Sequence, residues 1–279
     1  MPAPCSPTPA SRTRSATVSD SMPLAPEMSD VTVDAFHRGG FHLVQPRKGH
    51  RAGMDAMALA ASVPSRFAGH AVDLGAGAGA AGLAVISRCV EAHVTLVERE
   101  PVMLDCARRS LALAQNRHLA GRAAILDADV TLTGRARVEA GLADASFDFA
   151  IMNPPFNSQA DRATPDPLRK AAHVLSTDLF EAWIRTAAAV LRPGGGLAII
   201  ARPVSLPEVV AALEGRFGGA RIVLIHPRAD APAIRFIVRA AKGSRARLAF
   251  LPPFILHHGA TDPPPPSSVT NGTATLFGD

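Results

Sequence analysis

The chain has 279 residues, 47% of them hydrophobic, with 29 basic and 24 acidic side chains for a net charge of +5. That length supports one well-buried α/β core with frayed ends, and the modest positive excess permits a polyanionic partner without requiring one. Cys5, Cys89 and Cys106 have neither metal-ligand spacing nor even pairing, and no apolar run is long enough to span a bilayer, which argues against a zinc site, a disulfide framework and a membrane partner.

Residues 1–30 are rich in Ser, Pro, Thr and Ala and predict a disordered tail, in which Met22 or Met28 is an alternative start. The N-terminus lacks the apolar block of a secretion signal, so the expected location is cytoplasmic. Residues 70–74 read as a strand, followed by the glycine-rich turn 75–79 and an apolar helix to about Val90. A second strand spans 93–98. A helix runs over 101–116, with Pro101 at the permissive first turn and Asn116 near the stop. Strands follow at 123–127 and 147–152. Phe180, Trp183, Ile184, Ala187 and Leu191 have helical spacing over 179–191, and that pattern places Trp183 in the core. Pro193-Gly194-Gly195-Gly196 stops this helix, and 197–201 is a fifth strand. Ser205 with Glu208 forms a capping-box signature. Strands at 222–225 and 234–238 leave no room for a helix between them and are expected to pair antiparallel. From about Thr261 the four prolines 263–266 and small polar residues predict a loose tail over 261–279, leaving one domain at 31–260.

Strands alternating with helices imply an α/β fold with a doubly wound, mostly parallel sheet, whose ligands sit beyond the carboxyl ends of its strands. There the first strand runs into Asp73-Leu74-Gly75-Ala76-Gly77-Ala78-Gly79. Glycines allow a sharp turn and close approach to a ligand. Glu98 ends the second strand, where a carboxylate can accept both ribose hydroxyls. Together these describe a site for an adenosine-containing cofactor. Gly75, Gly77 and Ala80 also satisfy a looser dinucleotide pattern, so NAD is an alternative. Asp73 could hold the amino group of a methionine moiety or cap the helix.

Asn153-Pro154-Pro155-Phe156 follows the fourth strand. Two prolines fix the backbone and remove two donors, leaving the Asn153 side-chain oxygen and the Pro154 carbonyl as acceptors beside the flat face of Phe156. That set suits a planar amine. Acceptors gripping both N–H bonds favour a more tetrahedral nitrogen and aim its lone pair, without a strong general base. Alone, the motif would be a strand-ending turn with a core phenylalanine; its position after strand four of such a sheet gives it chemical meaning.

These motifs, with Leu96-Val97-Glu98, resemble the class I S-adenosylmethionine (SAM)-dependent methyltransferases that modify amino nitrogens, over about residues 33–258. The resemblance implies a seven-stranded sheet with the last strand inserted antiparallel, and SAM as cofactor. The segment from Gln45 to Ala56, and the stretch from Ile225 through Arg235 to Gly243, look like the bacterial tRNA1(Val) adenine-37 N6-methyltransferase family. By that resemblance Asp73, Gly75, Gly77 and Gly79 line the cofactor and Glu98 holds its ribose. Asp129 accepts the adenine amino group, and Arg51, Gly53 and Asp55 close over the cofactor. Asn153, Pro154 and Phe156 meet the substrate base, and the partner is RNA, a tRNA. Ala80-Ala81 and the long tails depart from the family. Asn-Pro-Pro-Phe is also shared with rRNA guanine N2 enzymes, and its Tyr variant with DNA-adenine and protein-glutamine methyltransferases, so these acceptors stay open, as does a non-catalytic nucleotide-binding role. The expected phosphate contacts fall in three clusters: Arg47, Lys48 and Arg51; Arg162, Arg169 and Lys170 beside His173; and Arg239, Lys242, Arg245 and Arg247. Phe36, Phe41 and Phe254 are further candidates for stacking.

Overall fold

A computed structural model describes residues 1, 30–49, 51–155, 166–257, 269, 272 and 275–279, and for 166–177 the backbone only. The expectations for Phe156 and Arg162, and for the side chains of Arg169, Lys170 and His173, lie outside the described residues.

Chain order begins with a hairpin that the sequence reading did not predict. Strands β1 (Val31–Phe36) and β2 (Phe41–Pro46) pair antiparallel, Phe36 opposite Phe41. Helix α1 (Met54–Ala60) follows, and then the alternating body. It comprises β3 (His70–Leu74), α2 (Ala80–Arg88), β4 (His93–Glu98), α3 (Pro101–Ala112), α4 (Arg117–Ala120), β5 (Ala123–Asp127), α5 (Gly134–Glu139), β6 (Phe147–Met152), α6 (Asp166–Val190), β7 (Leu191–Ala201), α7 (Leu206–Leu213), β8 (Phe217–His226) and β9 (Arg235–Lys242). The two-residue strands β10 (Ala249–Phe250) and β11 (Phe254–Ile255) end the series.

The central sheet runs β5-β4-β3-β6-β7-β9-β8, with β10 and β11 both added to β8. β9 is antiparallel to β7 and β8, and the other pairings are parallel. Seven long strands stand where they were expected, but β7 begins at Leu191 and takes in the Pro193–Gly196 stretch read as a turn, and β8 begins at Phe217 rather than 222; the two short strands extend the edge and make nine. β3 is the switch point, because β4 lies on one side of it and β6 on the other. Each strand of this interior is apolar on both faces, as in Ala71, Val72 and Leu74 or Val94, Leu96 and Val97. Two buried clusters result, one against α1, α2 and the hairpin, the other against α6 and α7.

Several local expectations differ from the fold. The helix read over 101–116 ends at Ala112. A 3₁₀ turn then delivers the fully buried Asn116, whose side chain accepts the His42 amide at 2.8 Å and donates to the carbonyls of His42 and Ser110. Asn116 therefore ties the hairpin to α3 rather than merely stopping a helix. Ser205 stands at the N-terminus of α7 but makes no capping bond, since a 3₁₀ turn, Pro203–Ser205, already feeds the helix. In the stretch expected to be a loose tail, Val269, Leu276 and Phe277 are buried. Phe277 lies under the guanidiniums of Arg221 and Arg239, Asp279 pairs with Arg239, and the Leu276 amide bonds the Ala61 carbonyl. The prolines are visible in the composition, whereas the cation–π partners of Phe277 lie far away in sequence.

Candidate active site

Strand register fixes the geometry. Leu74 is opposite Val97 on one side and Met152 on the other. The next residues, Gly75, Glu98 and Asn153, therefore stand level at the carboxyl ends of three adjacent strands, about 5 Å apart from strand to strand. A cavity of about 880 Å³ opens at this level, within the range of small-molecule sites. Asp73, Gly75, Gly77, Glu98, Asp129, Arg51, Gly53, Asp55, Asn153 and Pro154 all line it. Gly79, the remaining glycine of the loop, is instead the left-handed residue that starts α2.

The amides of Gly75 and Ala76 both donate to the Val97 carbonyl at 2.9 Å, which pins the loop to the end of β4. Gly75 has φ +71°, and a Cβ built on it would lie 2.3 Å from the Trp183 ring. Trp183 is core, as its helical spacing predicts, yet its ring also walls the cavity beneath the loop. Sequence spacing gave its burial and carried no signal of that second role.

Glu98 accepts the Gly77 amide on one oxygen and the Arg99 and Glu100 amides on the other, at 2.8–2.9 Å. A carboxylate offers about four acceptor positions. Three are filled, so Glu98 shapes the loop and keeps room for one further donor, where the sequence suggested two. Asp73 is fully buried, accepts the Gly82 amide at 2.8 Å and thereby caps the first turn of α2. Burial, reinforced by the Glu98 charge and opposed by the Gly82 bond, pushes its carboxyl up to about 7. Asp129 binds the Thr131 amide and hydroxyl and the Arg99 guanidinium; these bonds outweigh its partial burial and hold its pKa below the usual value.

The N-terminal segment reaches the cavity through a polar latch. Gln45, 2% exposed, donates to Asp34 at 2.7 Å and accepts the Ala52 amide at 2.9 Å. Arg51 binds Asp34, Thr32 and the Pro46 carbonyl. Asp55, at the start of α1, pairs with Arg235 at the start of β9, 2.8 Å away. Gln45 and Arg235 also line the cavity; in the sequence both stood only within the family-like segments, with no role of their own.

Asn153 differs from all of these. Its Oδ1 is buried and has no hydrogen-bond partner among the described residues. An orphaned buried acceptor costs about 1–3 kcal/mol, so it needs an explanation, and a ligand donor is the simplest. Of the basic clusters, the third is partly committed: Arg239 to Asp279 and Phe277, and Lys242 to the Leu191 carbonyl at 2.6 Å. Phe41 is fully buried, stacked on Phe36. Among the described residues no group of three His, Cys, Asp or Glu is placed to hold a metal ion, and no helix is long and apolar enough to cross a membrane.

The family model for the methyltransferase small domain matches residues 52–227. The tRNA1(Val) (adenine(37)-N6)-methyltransferase of Porphyromonas gingivalis is 30% identical over 171 residues, 60% of this chain and 64% of that protein. The release factor glutamine methyltransferase of Deinococcus radiodurans is 31% identical over 150 residues, 51% of this chain and 49% of that one. The chain thus spans less than two thirds of these curated relatives. A crystal structure described as a predicted O-methyltransferase, protein Atu636 from Agrobacterium tumefaciens, is 46% identical with a TM-score of 0.68, covering 79% of this chain and 97% of that one.

Proposed function

Because the chain belongs to the methyltransferase small domain family, and so is a SAM-dependent methyltransferase, we propose that it methylates an exocyclic amino nitrogen, N6 of adenine 37 in tRNA1(Val). The family match displaces the dinucleotide oxidoreductase reading. The observation that carries the proposal is the orphaned Asn153 Oδ1, level with the glycine loop and Glu98 in one cavity.

The residues present fit SAM. The loop glycines leave backbone exposed to the cavity, Glu98 retains one acceptor position for a ribose hydroxyl, and the buried Asp73 carboxyl is ready to be ionised by an ammonium group. When bound, SAM supplies an electrophilic methyl group. The chain's own residues do the rest. Asn153 Oδ1 and the Pro154 carbonyl accept the two N–H bonds of the amine and hold its lone pair toward the methyl group. Phe156, outside the described residues, is by resemblance the face for stacking of the base, a contact worth roughly 1–3 kcal/mol. The amine's proton is held at the Asn153 or Pro154 oxygen while the new N–C bond forms, and leaves to water afterwards.

A hydroxyl acceptor would use only one of the two oxygens and needs a base, which an amide is not; this disfavours O-methylation. A carboxamide or guanine amine would satisfy both oxygens. Labelled SAM offered with separated tRNA, rRNA and protein fractions decides among these, followed by mass spectrometry of the digested product. The expected product is N6-methyladenosine in tRNA. Label confined to protein refutes the nucleic-acid reading, and label on ribose or a carboxylate refutes the amine reading.

A further inference from the structure

The cavity is electrically polarised. At the end formed by β3, β4 and β5 its charged lining is Asp73, Glu98, Glu100 and Asp129 against Arg99. At the other end, beyond β7 and β9, it is Arg202 and Arg235 against Asp55, and Arg51, paired with Asp34, adds a further positive charge from the N-terminal segment. The acidic end suits a cationic cofactor. The basic end asks what anion it receives.

Ala201 pairs with Phe236, the last rung between β7 and β9. Arg202 and Arg235 are the next position on each chain, and residues facing across an antiparallel ladder project to the same side. Both side chains line the cavity, Arg235 held by Asp55 of α1. In the neighbouring strand Met152 is opposite Ile199, which puts Asn153 level with Ile200 and Arg202 two residues further out, roughly 7 Å. Val204, 72% exposed, and Ile234, 38% exposed, flank the pair with apolar surface. A positive pair set one short step above an amine-binding corner, beside exposed apolar side chains, matches a nucleotide presented base first.

We propose that Arg202 and Arg235 bind the phosphodiester adjoining the target base of a single-stranded RNA, and thereby select nucleic acid over protein acceptors. This rests on the nucleic-acid reading above. Guanidinium groups hold phosphate with planar, charge-assisted bonds and keep their charge at every working pH. Arg235 holds Asp55 and the Ile234 carbonyl, so Arg202 carries the test, and a separate SAM measurement distinguishes a structural effect of its loss from a lost phosphate contact.

The measurement is methyl transfer to unmodified tRNA at several salt concentrations, for the wild type, Arg202→Gln and Arg202→Lys, with SAM affinity measured separately. Losing one phosphate contact lowers the slope of log KM against log salt by about 0.7 on a single strand and raises KM on the order of tenfold. The expected result is that change in Arg202→Gln, a slope preserved in Arg202→Lys, and an unchanged SAM Kd. A tRNA KM and slope unchanged in Arg202→Gln overturn the inference and leave the amine-methylation reading standing. Weakened SAM binding in the same variant also overturns it, by making the effect structural. Wild-type label that enters only protein overturns both.

Discussion

Asp73→Asn isolates the buried carboxyl beneath the glycine loop. The asparagine keeps an oxygen for the Gly82 amide and loses only the charge. In the folded protein Asp73 is raised from the ordinary 3.8 to about 7, so between those values the native state holds a proton that the unfolded chain has released. Stability from this group is therefore full below about pH 4 and is lost as pH rises toward 7. The shift corresponds to roughly 4 kcal/mol at 1.36 kcal/mol for each unit. A bound ammonium favours the ionised form, so SAM affinity should rise about tenfold per pH unit below 7 and release up to one proton. Urea unfolding of the free protein from pH 4.5 to 8 measures the first effect; calorimetry of SAM binding in two buffers of different ionisation enthalpy measures the second. The variant is expected to gain stability relative to the wild type above pH 7, to bind SAM more weakly there, and to show neither pH dependence. If wild type and variant share the same pH slope in both experiments, the carboxyl is already ionised in the free protein and the reasoning fails.

Asn153→Ala should lower kcat by about 10²–10³-fold, the scale of losing one preorganised polar contact, with the SAM Kd unchanged in titration. Gly75→Ala places a Cβ 2.3 Å from the Trp183 ring in a left-handed conformation that itself costs about 1–2 kcal/mol; SAM affinity should fall at least tenfold in the same titration. Phe277→Ala removes a ring 5% exposed beneath two guanidiniums and should destabilise by on the order of 3 kcal/mol, read as a lower Tm and earlier proteolysis near the C-terminus, with SAM binding retained.

Strands buried on both faces announce themselves, which is why 70–74, 93–98 and 147–152 could be read as written, while the half-exposed edge strand 123–127 was read from its short apolar run between turns. Parallel pairing then set Glu98 and Asn153 beside Gly75 with no further information. What stayed hidden depends on partners remote in sequence. The Trp183 ring reaches Gly75 across more than a hundred residues, and the Asp55–Arg235 pair joins positions 180 apart. The hairpin β1–β2 is short and half exposed, so its alternation is weak; it is fixed by Asn116 and Ser110, whose hydroxyl receives the Val44 amide at 2.8 Å. Glu98 was placed correctly but its loop-bracing bonds could not be read from its type.

The docking of Leu276 on Ala61 and of Gly272 against His37 has a consequence for biosynthesis. These apolar faces near the front of the chain are translated long before their covers. At roughly 5–20 residues per second, the 215 positions between 61 and 276 take about 10–40 s to emerge, time enough for the sheet to form around them. The nascent domain must therefore pass through a stage with that flank open to water and to chaperones, and it is sealed only when Gly272 and Leu276 arrive.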